Sequence, residues 1–280
     1  MDRKLKDKIW TSVLYMISSA VVLLLLALVL YILNNGKHFL ELNFLFGKPK
    51  YGQEGGGVGP QLFNSFYMLI ITLAISVPIG IGAGVFLSQY SKDGPFVRIL
   101  RLSIETIASL PSIVVGLFGF LLFVNLSGWG FTLLGGALAL TLLNLPALAR
   151  VSENAITDAA LGVKESSMAL GGTKWQTIWK MIIPTAFPGI LTGIIITAGR
   201  IFGEAAALLY TSGMSSNNKG LLNVMRPAET LAVHIFKLNS EGTVPDASRI
   251  AAGAAALLVV MVFIFNMSAR LLGRRMMKHR

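Results

Sequence analysis

The chain contains no cysteine, only three histidines (His38, His234 and His279) and only 13 acidic residues among 280. Without thiols there is no disulfide, no thiolate nucleophile and no Cys-based metal site, and three histidines this far apart supply no zinc constellation. Charge of either sign is scarce, at 13% of residues, where a soluble domain carries about 25%. Apolar residues fill the gap: 54% of the chain is hydrophobic. Long apolar stretches cross a bilayer as helices, because only a helix satisfies its own backbone there, so the composition predicts an all-α, polytopic membrane protein.

Six stretches, at about 10–33, 61–89, 99–125, 131–149, 184–210 and 249–272, have the roughly 20 residues needed to cross hydrocarbon. Six spans put the tails 1–9 and 273–280 on one side. The formal net charge of +11 then sorts by side: sixteen of the 24 Lys and Arg fall with the termini and seven opposite, and Arg200 lies within a span. The positive-inside rule makes both termini cytoplasmic, and the basic excess reports orientation rather than nucleic-acid binding. The first span follows "MDRKLKDK" as a signal peptide would. Its apolar run exceeds an h-region and no A-x-A-like site follows, so it reads as a retained anchor.

The external segment 34–60 contains "EGGGVGP", a glycine-rich, turn-forming run. In span two, "IGIGAG" brings small residues to one face for close helix packing. Pro111 predicts a kink in span three, with Ser109 and Ser112 placed to satisfy freed backbone groups. Glu105, four residues after Arg101, suits an intrahelical ion pair. Asn144 and Pro146 suggest a bent end of span four and a polar interhelical contact.

The segment 150–183 is amphipathic rather than irregular. It predicts two short helices, about 152–160 behind Ser152 and about 164–170 stopped by Gly171 and Gly172, then a third beginning after Thr173 and running toward Pro184. Within it Glu165, Ser166 and Ser167 are followed by Gly171, then by Met181, Ile183 and Pro184. This spacing resembles the EAA motif of bacterial ABC importer permeases, the helix that docks on the ATPase, with Ser for both Ala, Met for Ile and Ile for Leu. A second Glu-Ala-Ala, at Glu204 to Ala206, lies inside span five without the following glycine, so it is not that motif. "EGGGVG" at 54–59, "LPSIVVGLFGF" at 110–120, "ALGGTKWQT" at 169–177, "GRIFGEAAALLYT" at 199–211 and "HIFKL" at 234–238 are similar to blocks of phosphate permeases of the PstA type. Ala205 and Ala207 depart from that family's Gly-Glu-Thr-Ala-Pro.

The resemblance implies a type I ABC importer permease fold in a bacterial inner membrane and a role as one permease subunit of a phosphate importer. Its partners would be two ATPase subunits, a second homologous permease and an external phosphate-binding protein. The coupling segment would present Glu165, Ser166, Ser167, Gly171 and Gly172 to the ATPase. No G-x-x-x-x-G-K-[ST] cradle occurs in the chain, so ATP and Mg2+ would belong to the partner and this chain would bind no cofactor.

Charge inside a span is costly and points to a partner or a pathway. Arg200 and Glu204, spaced i, i+4, are expected on one face of span five. Arg200 could take an oxyanion with its planar donor fork while Glu204 orients it or meets a protonated oxygen, or the two could simply neutralise each other between helices. Another oxyanion such as molybdate fits the same machine. A membrane scaffold, or an enzyme using Arg200 and Glu204, are readings from other classes, and the enzyme lacks a nucleophile.

Overall fold

A computed structural model describes residues 3–39, 41–50, 54–92, 94–215, 220–242 and 245–278. Lys219, His279 and Arg280 lie outside the described residues, as do the side chains of Arg3, His38, Arg274, Arg275 and Lys278. The described chain is helical apart from loops and one isolated antiparallel bridge, Pro49 to Gly56. In order the helices are α1 (Arg3–Gly36), α2 (Leu42–Phe46), α3 (Gly59–Val85), α4 (Pro95–Ala108), α5 (Ser112–Gly119), α6 (Leu133–Ala169), α7 (Lys174–Thr177), α8 (Ile183–Gly203), α9 (Ala206–Thr211), α10 (Leu231–Glu241) and α11 (Ala247–Lys278). π-helical turns extend α3 through Phe86–Tyr90 and α5 through Phe120–Leu126, and join α7 to α8 through Ile178–Ile182.

Five helical segments are long and apolar enough to cross a membrane, and α4 with α5 and its extension makes a sixth, bent by 101°. The bundle has a loop-rich end, carrying the described residues of 37–39, 41–50, 54–58, 127–132, 212–215, 220–242 and 245–246, and a hairpin end, carrying 91–92, 94 and 170–173.

The central pair is α3 and α6, which run in the same direction because the α4–α5 crossing separates them. Met68 faces Gly136, Gly80 faces Leu148 and Gly84 faces Ser152, all at one constant sequence offset. A Cβ on Gly80 would come within 2.9 Å of Leu148, and one on Gly84 within 2.8 Å of the Glu153 backbone nitrogen. The small face expected in span two is therefore formed by Gly80 and Gly84, whereas Gly82 faces open space. Around this pair, Val115, Ala198, Ile201, Phe202, Ala207, Leu208 and Met261 close the main core.

Three local expectations need correction. The kink at Pro111 is a full break: α4 ends at Ala108, and Ser109 closes it by donating from Oγ to the Thr106 carbonyl at 2.8 Å. The two separate helices expected at 152–160 and 164–170 are absent. They continue span four as one 37-residue helix, α6, in which Ser152 is buried against Gly84 instead of capping a new start. Asn144 makes no interhelical bond among the described residues; its amide donates to Leu140 of its own helix.

α1 has none of its apolar span buried. It leans on the bundle only near its end, where Gly36 lies so close to Ala252 and Ala256 of α11 that a Cβ would overlap them.

A broken helix, a buried polar knot and an exposed hairpin

Arg200 sits in the last turn of α8, where the unpaired carbonyls of the helix end favour a cation. Its side chain is exposed and makes no ion pair or hydrogen bond among the described residues. The helix stops at Gly203. Glu204 is extended, with φ −78° and ψ 120°, and the chain resumes helix at Ala206. Arg200 and Glu204 therefore do not share a helix face, which overturns the expected i, i+4 pair. The Glu204 carboxylate turns the other way and accepts from the Ala207 backbone N–H at 3.3 Å, across the first turn of α9.

The break is held by packing on three sides. Phe202 is buried with its ring edge-on to Phe66 of α3 and Phe265 of α11, at centroid distances of 5.3 and 5.4 Å. Ala207 has no exposure, and Gly116 of α5 lies so close that a Cβ there would come within 2.7 Å of the Ala207 Cα. Ahead of the break, Thr185, Gly189, Thr192, Ile196 and Arg200 form one exposed stripe along α8.

The loop-rich end contains a constellation missed in the sequence. Glu229, with its side chain 1% exposed, accepts from Gln61 Nε2 at 2.9 Å, faces His234 Nδ1 at 3.2 Å and has Lys237 Nζ at 4.0 Å. Asn64 bridges the knot: its amide donates to the Glu229 carbonyl at 2.9 Å, and its oxygen accepts from Arg226 Nη2 at 2.7 Å. Arg226 also donates to the carbonyls of Leu221 and Pro227. Burial pushes its guanidinium below the ordinary arginine value, and nearby Tyr67 acts in the opposite direction. This knot staples the 220–237 segment to the first turns of α3. The signal available was the alternation in "MRPAETLAVHIFKL", where Ala228, Leu231 and Val233 are fully buried.

At the other end, α6 and α7 form a hairpin. Gly171 takes φ +83°, its N–H donating to Met168, while Gly172 donates to Ser167. Thr173 and Gln176 form a reciprocal capping box, so α7 starts after Thr173 as expected from the sequence. Glu165 and Ser166 are exposed, and Ser167 Oγ lies 2.9 Å from Thr177 Oγ1. Large apolar side chains stand open around them: Leu170 is 90% exposed, Leu161 84% and Trp175 61%. Such an apolar patch at the tip of a helical hairpin marks a contact surface for a protein or a membrane.

Between hairpin and membrane core, two ion pairs tie α4 to α6. Arg101 donates from Nε and Nη2 to Glu153 Oε1 at 3.1 and 2.9 Å, and Arg150 Nη2 meets Glu105 Oε1 at 2.8 Å. The expected Arg101–Glu105 pair along one helix is thus replaced by two pairs between helices, because the charged face of α4 packs on α6.

A bundle of apolar helices long enough to cross a membrane, with one elbowed span, one broken span and an exposed hairpin, defines a multi-pass membrane protein. Residues 76–278 match the family described as "Binding-protein-dependent transport system inner membrane component", and the chain belongs to that family. It is 45% identical to the probable ABC transporter permease protein YqgI of Bacillus subtilis, over 99% of this chain and 98% of that one. It is 31% identical to the phosphate transport system permease protein PstA of Haemophilus influenzae, over 96% and 94%. Among solved structures it resembles a chain of a bacterial alginate ABC transporter in complex with an alginate pentasaccharide-bound periplasmic protein, with TM-score 0.66 over 98% of each chain at 16% identity. That last likeness concerns the fold alone, the type I ABC importer permease fold. The chain is an ABC importer permease subunit of the inner membrane.

Proposed function

We propose that the cargo is inorganic phosphate and that Arg200 is its contact on the translocation path. The observation that carries this reading is the exposed guanidinium at the broken end of α8, without a partner among the described residues. No ion pair joins Glu204 to it among the described residues, the Glu204 carboxylate accepting instead from the Ala207 N–H, so an oxyanion meets an open planar donor fork. The phosphate transport relative supports the choice of anion. A second, homologous permease would face the α8 stripe and complete the path, and an external phosphate-binding protein would deliver cargo to the loop-rich end.

Two ATPase subunits, holding ATP and Mg2+, would supply the energy. One would dock on the hairpin at Glu165, Ser166, Ser167, Gly171 and Gly172, with Leu170 and Trp175 filling its groove. In this arrangement the hairpin and both termini are cytoplasmic.

The test is phosphate uptake in a permease-deleted bacterial strain complemented with this chain. Arg200→Gln lowers uptake about 10- to 100-fold, the worth of a lost charge-assisted hydrogen bond, while membrane level and assembly persist. Normal uptake by that variant, or loss of assembly, removes Arg200 from the path. If molybdate competes with labelled phosphate and is itself taken up better, the cargo is the other oxyanion.

A further inference from the structure

We propose that Arg101, Glu105, Arg150 and Glu153 form a cross-brace: positioning residues that transmit movement of the hairpin to the broken helix at Glu204. The inference rests on the reading above that an ATPase docks on the hairpin.

The first element is a rigid rod. Because α6 is one helix from its Thr132 cap to Ala169, a displacement of the hairpin is a displacement of Arg150 and Glu153. Glu153 stands 12 residues before Glu165, about 18 Å along the helix.

The second element is the brace. The helices run antiparallel, and the brace uses Arg101 and Glu105, one turn apart on α4, and Arg150 and Glu153, one turn apart on α6. In the observed register Arg101 meets Glu153 and Glu105 meets Arg150. A slip of one turn in one direction brings Arg101 to Arg150; a slip in the other brings Glu105 to Glu153. Each slip sets like charges against each other, and although the first also brings Arg98 toward Glu153, only the observed register keeps both pairs. Burial strengthens one arm: the Glu153 side chain is 11% exposed, and a carboxylate stripped of its partner there is costly. The other arm, 44% and 55% exposed, is weaker. The brace thus obliges α4 to follow α6.

The third element is the elbow. α4 turns by 101° at Ser109 to Pro111 into α5. On α5, Gly116 is in backbone-close contact with Ala207, the residue whose N–H holds Glu204. A pull on α4 therefore reaches the joint between α8 and α9, next to Arg200.

The experiment uses the assembled complex in liposomes, with its binding protein outside and ATP inside, and reads solute taken up per ATP hydrolysed. Glu153→Gln lowers that ratio about tenfold, within the usual range of coupling between sites, while ATP hydrolysis persists and the complex stays assembled. Glu105→Gln lowers it about two- to threefold, since that pair is solvated. The charge exchange Arg101→Glu with Glu153→Arg restores most of the ratio. An unchanged ratio in Glu153→Gln overturns the proposal. So does a parallel fall in assembly, hydrolysis and uptake that the exchange fails to restore, which makes the pair merely structural. Stimulation of hydrolysis by the binding protein in the unsubstituted complex reads ATPase docking independently of cargo. A chain that recruits no ATPase fails at that control, and the brace falls with it; a coupled complex in which Glu153→Gln stays coupled fails the brace alone.

Discussion

The two ends of the bundle handle polar and apolar groups in opposite ways. At the loop-rich end, Gln61, Asn64, Arg226, Glu229 and His234 are buried and bonded to one another, so their chemistry is turned inward and stabilises the fold. At the hairpin end, Leu161, Leu170 and Trp175 are held open to the outside, and the charged groups cross between helices near the surface. Burial of a satisfied polar network rigidifies; an apolar side chain left exposed at the tip of a hairpin is available for contact with a protein or a membrane. One end is closed within the chain, and the other leaves its apolar side chains open.

That contrast is broken most sharply at Glu229. Glu229→Ala leaves His234 and Lys237 without their carboxylate and destabilises the protein by about 3–5 kcal/mol, seen as a lowered unfolding midpoint of the purified chain in detergent. An unchanged midpoint would mean that the knot does not hold α10 in place. A smaller effect is expected midway between the ends. Gly84→Ala pushes a methyl against the Glu153 backbone and costs about 1–3 kcal/mol, whereas Gly82→Ala, which meets open space, costs nothing in the same melt. The smallest change in stability belongs to the hairpin: Leu170→Ser shifts the midpoint by less than about 0.5 kcal/mol, yet weakens copurification of the ATPase. If Leu170→Ser instead unfolds the chain, the hairpin is part of the core and the contrast between the ends fails.

Much of the architecture was legible because it depends on local signals of strong contrast. The apolar spans stand out against scarce charge, Gly171 and Gly172 mark a helix stop, and Thr173 marks the next start. What escaped detection depends on tertiary contacts. Nothing in "GRIFGEAAALLYT" breaks a helix decisively; α8 ends at Gly203 because Phe202 and Ala207 are each seated in neighbouring helices. Ser152 has the chemistry of a helix cap, yet the glycine notch at Gly84 claims it and α6 continues. Arg101 and Glu105 have the spacing of an intrahelical pair, but Glu153 and Arg150 on α6 take them. Arg226 and Glu229 lie between spans, where polar residues ordinarily face water, and only the interleaved Ala228, Leu231 and Val233 hinted otherwise.

The glycine contacts of α3 and α6 have a mechanical consequence. Notches lie on both partners, Gly80 and Gly84 on one and Gly136 on the other, so neither helix can slide without driving a side chain into opposing backbone. The pair is keyed, like a shaft in its slot, and must travel as one body. Relative movement of the helices then falls where the chain is jointed, at Ser109 to Pro111 and at Glu204 to Ala205.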